Sequence, residues 1–174
     1  MRDFFKSNQD LEGTLSTLLQ ANDQKRRQDV DMIFVAASPD AARQIKPLLN
    51  FHHAANLPVY ATASVYTGTP MPSQDQDLNG IVFCDMPWIL QLSNQIQDAR
   101  TTMEKLWPNS ANQSPRFFAL GMDAYTLATQ LSKARWLASS DVAGYTGDLH
   151  INKYQRIQRG LVCAKFKQGI PAAD

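Results

Sequence analysis

The 174-residue chain is 44% hydrophobic and 19% charged, a balance that excludes a disordered segment. Its net charge of +1 gives no overall field to draw nucleic acid or an anionic membrane, so neither is expected as a partner. No run of about 18 apolar residues is present to span a membrane, and Met1-Arg2-Asp3-Phe4-Phe5-Lys6 does not read as a signal peptide. The length suits one domain, or one lobe of a larger one.

Leu11, Leu15, Leu18 and Leu19 share one helical face and predict an amphipathic helix over residues 9–19. The unbroken apolar run 32–37 predicts a parallel strand buried on both faces. Ser38-Pro39-Asp40 then reads as a helix start: Ser as N-cap, Pro in the first turn, an acid at the positive dipole end. Ala41, Ile45, Leu48 and Leu49 are expected to form that helix's buried face, with Pro47 kinking it. Residues 57–62 read as the next strand, which completes a right-handed strand–helix–strand unit. Residues 64–79 read as a long loop, and loops of that length are often functional.

The run 81–84 lies between Asn79-Gly80 and Pro87, so it reads as a strand entering from a tight turn. A helix over 93–106 should present Ile96, Ala99, Met103 and Leu106. Another, from 115, should turn Phe117, Leu120, Ala124, Leu127 and Leu131 inward. The tail changes character, and residues 144–166 read as a β-hairpin pair. The expected fold class is α/β: a mainly parallel sheet with helices on both faces, plus a C-terminal β-hairpin.

Candidate chemistry is sparse. Asp75-Gln76-Asp77-Leu78-Asn79-Gly80 matches the first half of a calcium loop, but the twelfth position is Met86 where a bidentate carboxylate is required. No calcium site is expected there. His52-His53 cannot easily share one ion, because adjacent helical side chains diverge by about 100°. Cys84 and Cys163 both fall in predicted strands. Buried thiols are the default reading and a disulfide the alternative. No nucleophile elbow, dinucleotide loop or phosphate loop occurs, so neither enzyme nor cofactor is expected. Lys153, Arg156 and Arg159 recur every three residues around Tyr154, a basic contact surface or a solvated loop. Tyr66, Trp88 and Trp136 are partner anchors or core residues. The C-terminal ends of the parallel strands should gather Ser38, Ser64, Tyr66, Asp85 and Trp88 into a cleft or partner surface.

Four stretches together carry a family resemblance: Asp31-Met32-Ile33-Phe34-Val35-Ala36-Ala37-Ser38-Pro39, Leu57-Pro58-Val59-Tyr60-Ala61-Thr62, the run from Asp75 to Trp88, and Ala119-Leu120-Gly121-Met122-Asp123-Ala124-Tyr125. They resemble the C-terminal domain of the LpoA (LppC/YraM) lipoprotein family, whose members activate class A penicillin-binding proteins. The resemblance implies one lobe of a fold like the type I periplasmic binding proteins, and in the full two-lobed pattern the 117–131 helix would pack in the other lobe. It also implies a non-enzymatic regulator on the periplasmic side of the outer membrane. Its partner would be a class A penicillin-binding protein, with peptidoglycan as a second candidate. The family's lipidated cysteine is not found here, so the chain is expected to be a soluble segment, held at the membrane only through an anchor outside it. The rival reading is a receptor lobe for an amino acid or peptide; a hydrolase is the weakest.

Overall fold

Residues 29–90, 93–108, 114–132 and 141–173 are described by a computed structural model. The expected helix over 9–19 and Trp136 lie outside these residues. In chain order the elements are β1 (Ile33–Val35), α1 (Pro39–Phe51), β2 (Val59–Ala61), α2 (Pro72–Asp75), β3 (Ile81–Asp85), α3 (Pro87–Leu90), α4 (Asn94–Leu106), α5 (Pro115–Ser132), β4 (Val142–Ala143), β5 (Asp148–Ile151), β6 (Ile157–Gly160), β7 (Val162–Lys167) and β8 (Ile170–Ala173). The main sheet has the order β1-β2-β3-β7-β8, and β4-β5-β6 form a second sheet. As the apolar runs predict, β1, β2 and β3 are parallel, in the register Ile33↔Val59↔Ile81. Strand β7 returns antiparallel beside β3, and the β7–β8 hairpin closes the sheet, making it mixed.

Alternation along the strands decides the core. Val35, Val59, Ala61, Ile81, Phe83, Ala164 and Phe166 point to the buried side. There the Phe83 and Phe166 rings stack with centroids 5.2 Å apart, and Tyr66 meets the Phe166 edge at 5.9 Å. The other face departs from expectation: Phe34 is 62% and Tyr60 41% exposed, so β1 and β2 are not covered on both sides. Unbroken apolar sequence signals a strand without polar neighbours; it does not guarantee that something lies on each face.

The N-cap of α1 is Ser38, whose Oγ accepts from the Ala41 N–H at 3.4 Å, and the helix runs through Pro47. Of its expected face, Ile45 and Leu49 pack against the core while Leu48 is exposed, and the most buried positions are Ala42 and Lys46. In α4, Ile96 is buried as expected but Leu106 is exposed. The largest correction concerns α5. Phe117, Leu120 and Ala124 face solvent, whereas Ala119 and Asp123 are buried. Residues 64–79, expected as loop, fold into short helical turns that bury Leu78 and Asp75. The hairpin turn after β7 nests against them. Gly169 has φ +73°, and a Cβ there would lie 2.3 Å from the Pro72 carbonyl oxygen, so only glycine fits.

Cys84 and Cys163 face each other across β3 and β7 and form a disulfide, which overturns the reading as buried free thiols. The bond closes a loop between positions 79 apart and ties the parallel strands to the returning hairpin. Confining so long a loop in the unfolded chain stabilises the fold by roughly 2–4 kcal/mol. Replacing both cysteines by alanine should lower the unfolding free energy by about that amount in urea titrations. A change under about 1 kcal/mol would show the bond to be energetically idle.

Candidate functional site

The strands end together, and their C-terminal residues build one polar seam. After β1, the Ala37 carbonyl accepts from Ser64 Oγ at 2.9 Å, and Ser64 also bonds Thr62 Oγ1 at 2.6 Å. Ser38 and Ser64 therefore sit at an exposed rim, engaged in capping and cross-linking the strand ends. Tyr66, Asp85 and Trp88 lie beneath it, at 4%, 2% and 3% exposure. The structure thus gathers the five residues at one end of the sheet but divides them into rim and interior.

The residue that unites the interior group is Arg116, in the first turn of α5. Its guanidinium binds Asp85 side-on, Nε to Oδ1 at 3.3 Å and Nη2 to Oδ2. Nη2 also donates to the carbonyls of Ala63 and Tyr66, at 3.1 and 3.0 Å. Asp85 Oδ1 additionally accepts the Met86 N–H at 2.8 Å. Sequence reading missed Arg116, although one signal was present: a cation in a helix's first turn opposes the helix dipole and calls for a nearby acid. The arrangement is a bidentate pair in which Nη2 also serves two backbone carbonyls and Asp85 Oδ1 a backbone N–H.

Trp88 is held from three sides. Its backbone N–H donates to the Tyr145 carbonyl at 3.0 Å, and its ring meets Tyr145 edge-on at 5.4 Å. Arg100 donates to its carbonyl at 3.0 Å and lies over its ring at 5.8 Å. Tyr145 is itself placed by Asp123 of α5. That carboxylate accepts from the backbone N–H groups of Tyr145 and Thr146, both at 2.8 Å, and from Thr146 Oγ1 at 2.6 Å. Gly144 is needed there because a Cβ would approach Asp123 Oδ2 to 2.7 Å. Asp75, the first acid of the calcium-like segment, accepts instead from Arg43 Nε and Nη2 at 3.1 and 2.7 Å. Beside the seam, α5 and the end of α4 frame an apolar groove of about 860 Å³, lined by Met103, Trp107, Phe117, Met122, Tyr125 and Tyr145.

Residues 1–169 match the family described as "LppC putative lipoprotein". The chain belongs to the LppC family. Penicillin-binding protein activator LpoA of Vibrio vulnificus is 32% identical over 154 residues, covering 87% of this chain and 24% of that protein. The LpoA of Photobacterium profundum is 32% identical over 157 residues, again covering 87% of this chain and 25% of that protein. The LppC-family chain thus spans about a quarter of the length of the curated relatives it matches. Among solved structures, the LpoA (YraM) C-domain from Haemophilus influenzae, a regulator of PBP1A, superposes with a TM-score of 0.64 at 23% identity, covering 90% of this chain and 49% of that one. A "putative branched-chain amino acid ABC transporter" from Chromobacterium violaceum superposes at 0.57 with 30% identity, covering 87% and 46%. The α/β fold is accordingly shared with LpoA C-domains and with periplasmic binding protein-like chains. No helix among the described residues is long and apolar enough to cross a membrane.

Two predictions follow the seam's geometry. Removing the guanidinium in Arg116→Met leaves the buried Asp85 carboxylate without its counter-ion, so the fold should lose roughly 3–5 kcal/mol. The double variant Asp85→Asn/Arg116→Met should lose clearly less than the sum of the two single changes. Strict additivity in urea titrations would show that the pair is not coupled. The second prediction concerns Tyr66. Burial, then the charges of Asp75 and Asp85 against an opposing Arg100, pushes its phenol up to about 12. A phenol that ionises later in the folded chain contributes stability below the ordinary pKa of about 10 and loses it as pH climbs to about 12. Wild type should lose up to about 3 kcal/mol more than Tyr66→Phe over that interval. Parallel pH–stability curves for the two proteins would refute this.

Proposed function

We propose that this chain is a non-enzymatic regulatory module, the second lobe of a two-lobed domain, that activates a class A penicillin-binding protein through protein–protein contact at the periplasmic side of the outer membrane. Several relatives that it matches are named penicillin-binding protein activators, and the H. influenzae C-domain is described as a regulator of PBP1A. The Cys84–Cys163 disulfide accords with an oxidising compartment such as the periplasm. A lipid anchor would lie outside this chain.

The observation that favours this over a receptor lobe is the occupancy of the strand ends. Small-ligand sites in open α/β sheets use free polar groups at that edge. Here Asp85 and Arg116 bind each other, Arg116 also takes the Tyr66 carbonyl, and the Tyr66 and Trp88 rings are buried beside them. The exposed rim of Ser38 and Ser64 remains as candidate contact surface, with the buried three supporting it from below.

The test is reconstitution of the purified chain with the class A synthase of its own organism, following glycan polymerisation and peptide cross-linking. Stimulation of either rate is the expected result. No stimulation, together with a saturable thermal shift on adding leucine, would favour the receptor reading, since a ligand at about 100 times its Kd stabilises a folded protein by about 2.7 kcal/mol.

A further inference from the structure

We propose that the free edge of β6 is a docking site for an extended acidic segment of a partner protein. This inference stands apart from the synthase reading, because it rests on the second sheet and not on the strand-end seam. Residues 149–167 contain five lysines and arginines and no aspartate or glutamate, so the chain's net charge of +1 leaves −4 for everything else. The positive charge is therefore concentrated here, and such segregation steers and selects an acidic partner. Among the described residues, ion pairs are made by Arg43 and Arg116, while Lys153, Arg156 and Arg159 have no carboxylate within salt-bridge distance. Lys153 rests over the Tyr154 ring at 5.0 Å, and Tyr154 is itself 70% exposed.

The hairpin that presents these cations is built, not slack. Asn152 Oδ1 accepts from the Tyr154 and Arg156 N–H groups at 2.9 and 3.1 Å, and Gln155 takes φ +59° to close the turn. The Gln155 N–H donates to the Asn152 carbonyl at 2.9 Å, and the Asn152 N–H to the Arg156 carbonyl at 3.0 Å. A fixed tip lowers the ordering cost of binding.

The strand's edge selects the class of partner. All four residues of β6 are exposed, and among the described residues β6 is the last strand of its sheet. With Asn152 bonded to Arg156, inward bonding alternates to the pairs His150↔Gln158 and Asp148↔Gly160. The N–H and C=O groups of Ile157 and Arg159 consequently point to the open side. Only a polypeptide strand offers the matching main-chain groups, by strand addition. Ile157 and Arg159 share one face of β6 by the two-residue alternation, so the edge suits a segment that sets apolar and acidic residues two positions apart on one face.

The probe is a synthetic peptide of repeating Val-Ser-Glu-Ser, which sets Val and Glu on one face of an extended strand, titrated into the chain and followed by amide NMR and hydrogen exchange. Slowed exchange at the Ile157 and Arg159 amides is expected, and Lys153→Ser/Arg156→Ser/Arg159→Ser should weaken binding about tenfold or more. Ile157→Pro keeps all three charges but removes one outward N–H, and it should also weaken binding; edge strands tolerate proline where the N–H faces solvent. Unchanged melting temperatures would show that each variant is folded. The proposal is overturned if the peptide leaves both amides unprotected, if Ile157→Pro binds like wild type, or if phosphatidylglycerol vesicles bind the hairpin while the peptide does not.

Discussion

The ion pair between Arg116 and Asp85 is the contact on which the rest of this structure depends. It joins the first turn of α5 to the end of the central parallel strand, 31 positions earlier in the chain. The same guanidinium gathers the carbonyls of Ala63 and Tyr66, so one side chain fixes the helix, the strand end and the turn after β2. Helix α5 has few other reasons to sit where it does, since much of its apolar surface faces outward. An arginine so placed is costly unless its acid is present, and an acid so buried is costly without its arginine. Each makes the other permissible, and together they tie the strand ends to the first turn of α5.

From α5 the order propagates to the second sheet. Asp123 lies two turns beyond Arg116 and receives three hydrogen bonds from the Tyr145–Thr146 segment. That places Tyr145 against Trp88, which follows β3 directly. A closed circuit results: β3 to Arg116, along α5 to Asp123, through the glycine-framed loop to Trp88, and back to β3. The disulfide adds a second, covalent closure between β3 and β7 on the same sheet.

Much of the fold was legible because its causes are local. The parallel strands announced themselves as apolar runs, and Ser38-Pro39-Asp40 announced a helix start that Ser38 Oγ indeed caps. What was not legible depends on contacts distant in sequence. Nothing beside Cys84 or Cys163 distinguishes a pair from two buried thiols, because pairing requires knowing that β7 returns beside β3. The face of α5 was misread for a related reason. That helix has apolar residues nearly all round, so periodicity cannot say which stripe packs, and the decision falls to Arg116 and Asp123, polar residues that an apolar count ignores. The five candidate site residues were placed at the strand ends by topology alone. Topology could not tell the capped rim, Ser38 and Ser64, from the interior formed by Tyr66, Asp85 and Trp88.

The circuit through Arg116, Asp123 and Trp88 bears on what kind of device this chain is. Coupling between distant surfaces requires an element with two arrangements that each site biases differently. Along this circuit Arg116 holds a bidentate acid and two carbonyls, Asp123 takes three donors and the Trp88 backbone N–H a carbonyl, while the buried Trp88 indole N–H has no hydrogen-bond partner. Breaking the bonds of Asp85 or Asp123 strands a buried carboxylate, which disfavours a second arrangement of the circuit. The β5–β6 hairpin, with its tip closed by Asn152, is fixed in the same way. These bonds favour a single arrangement of β3, α5 and the second sheet relative to one another.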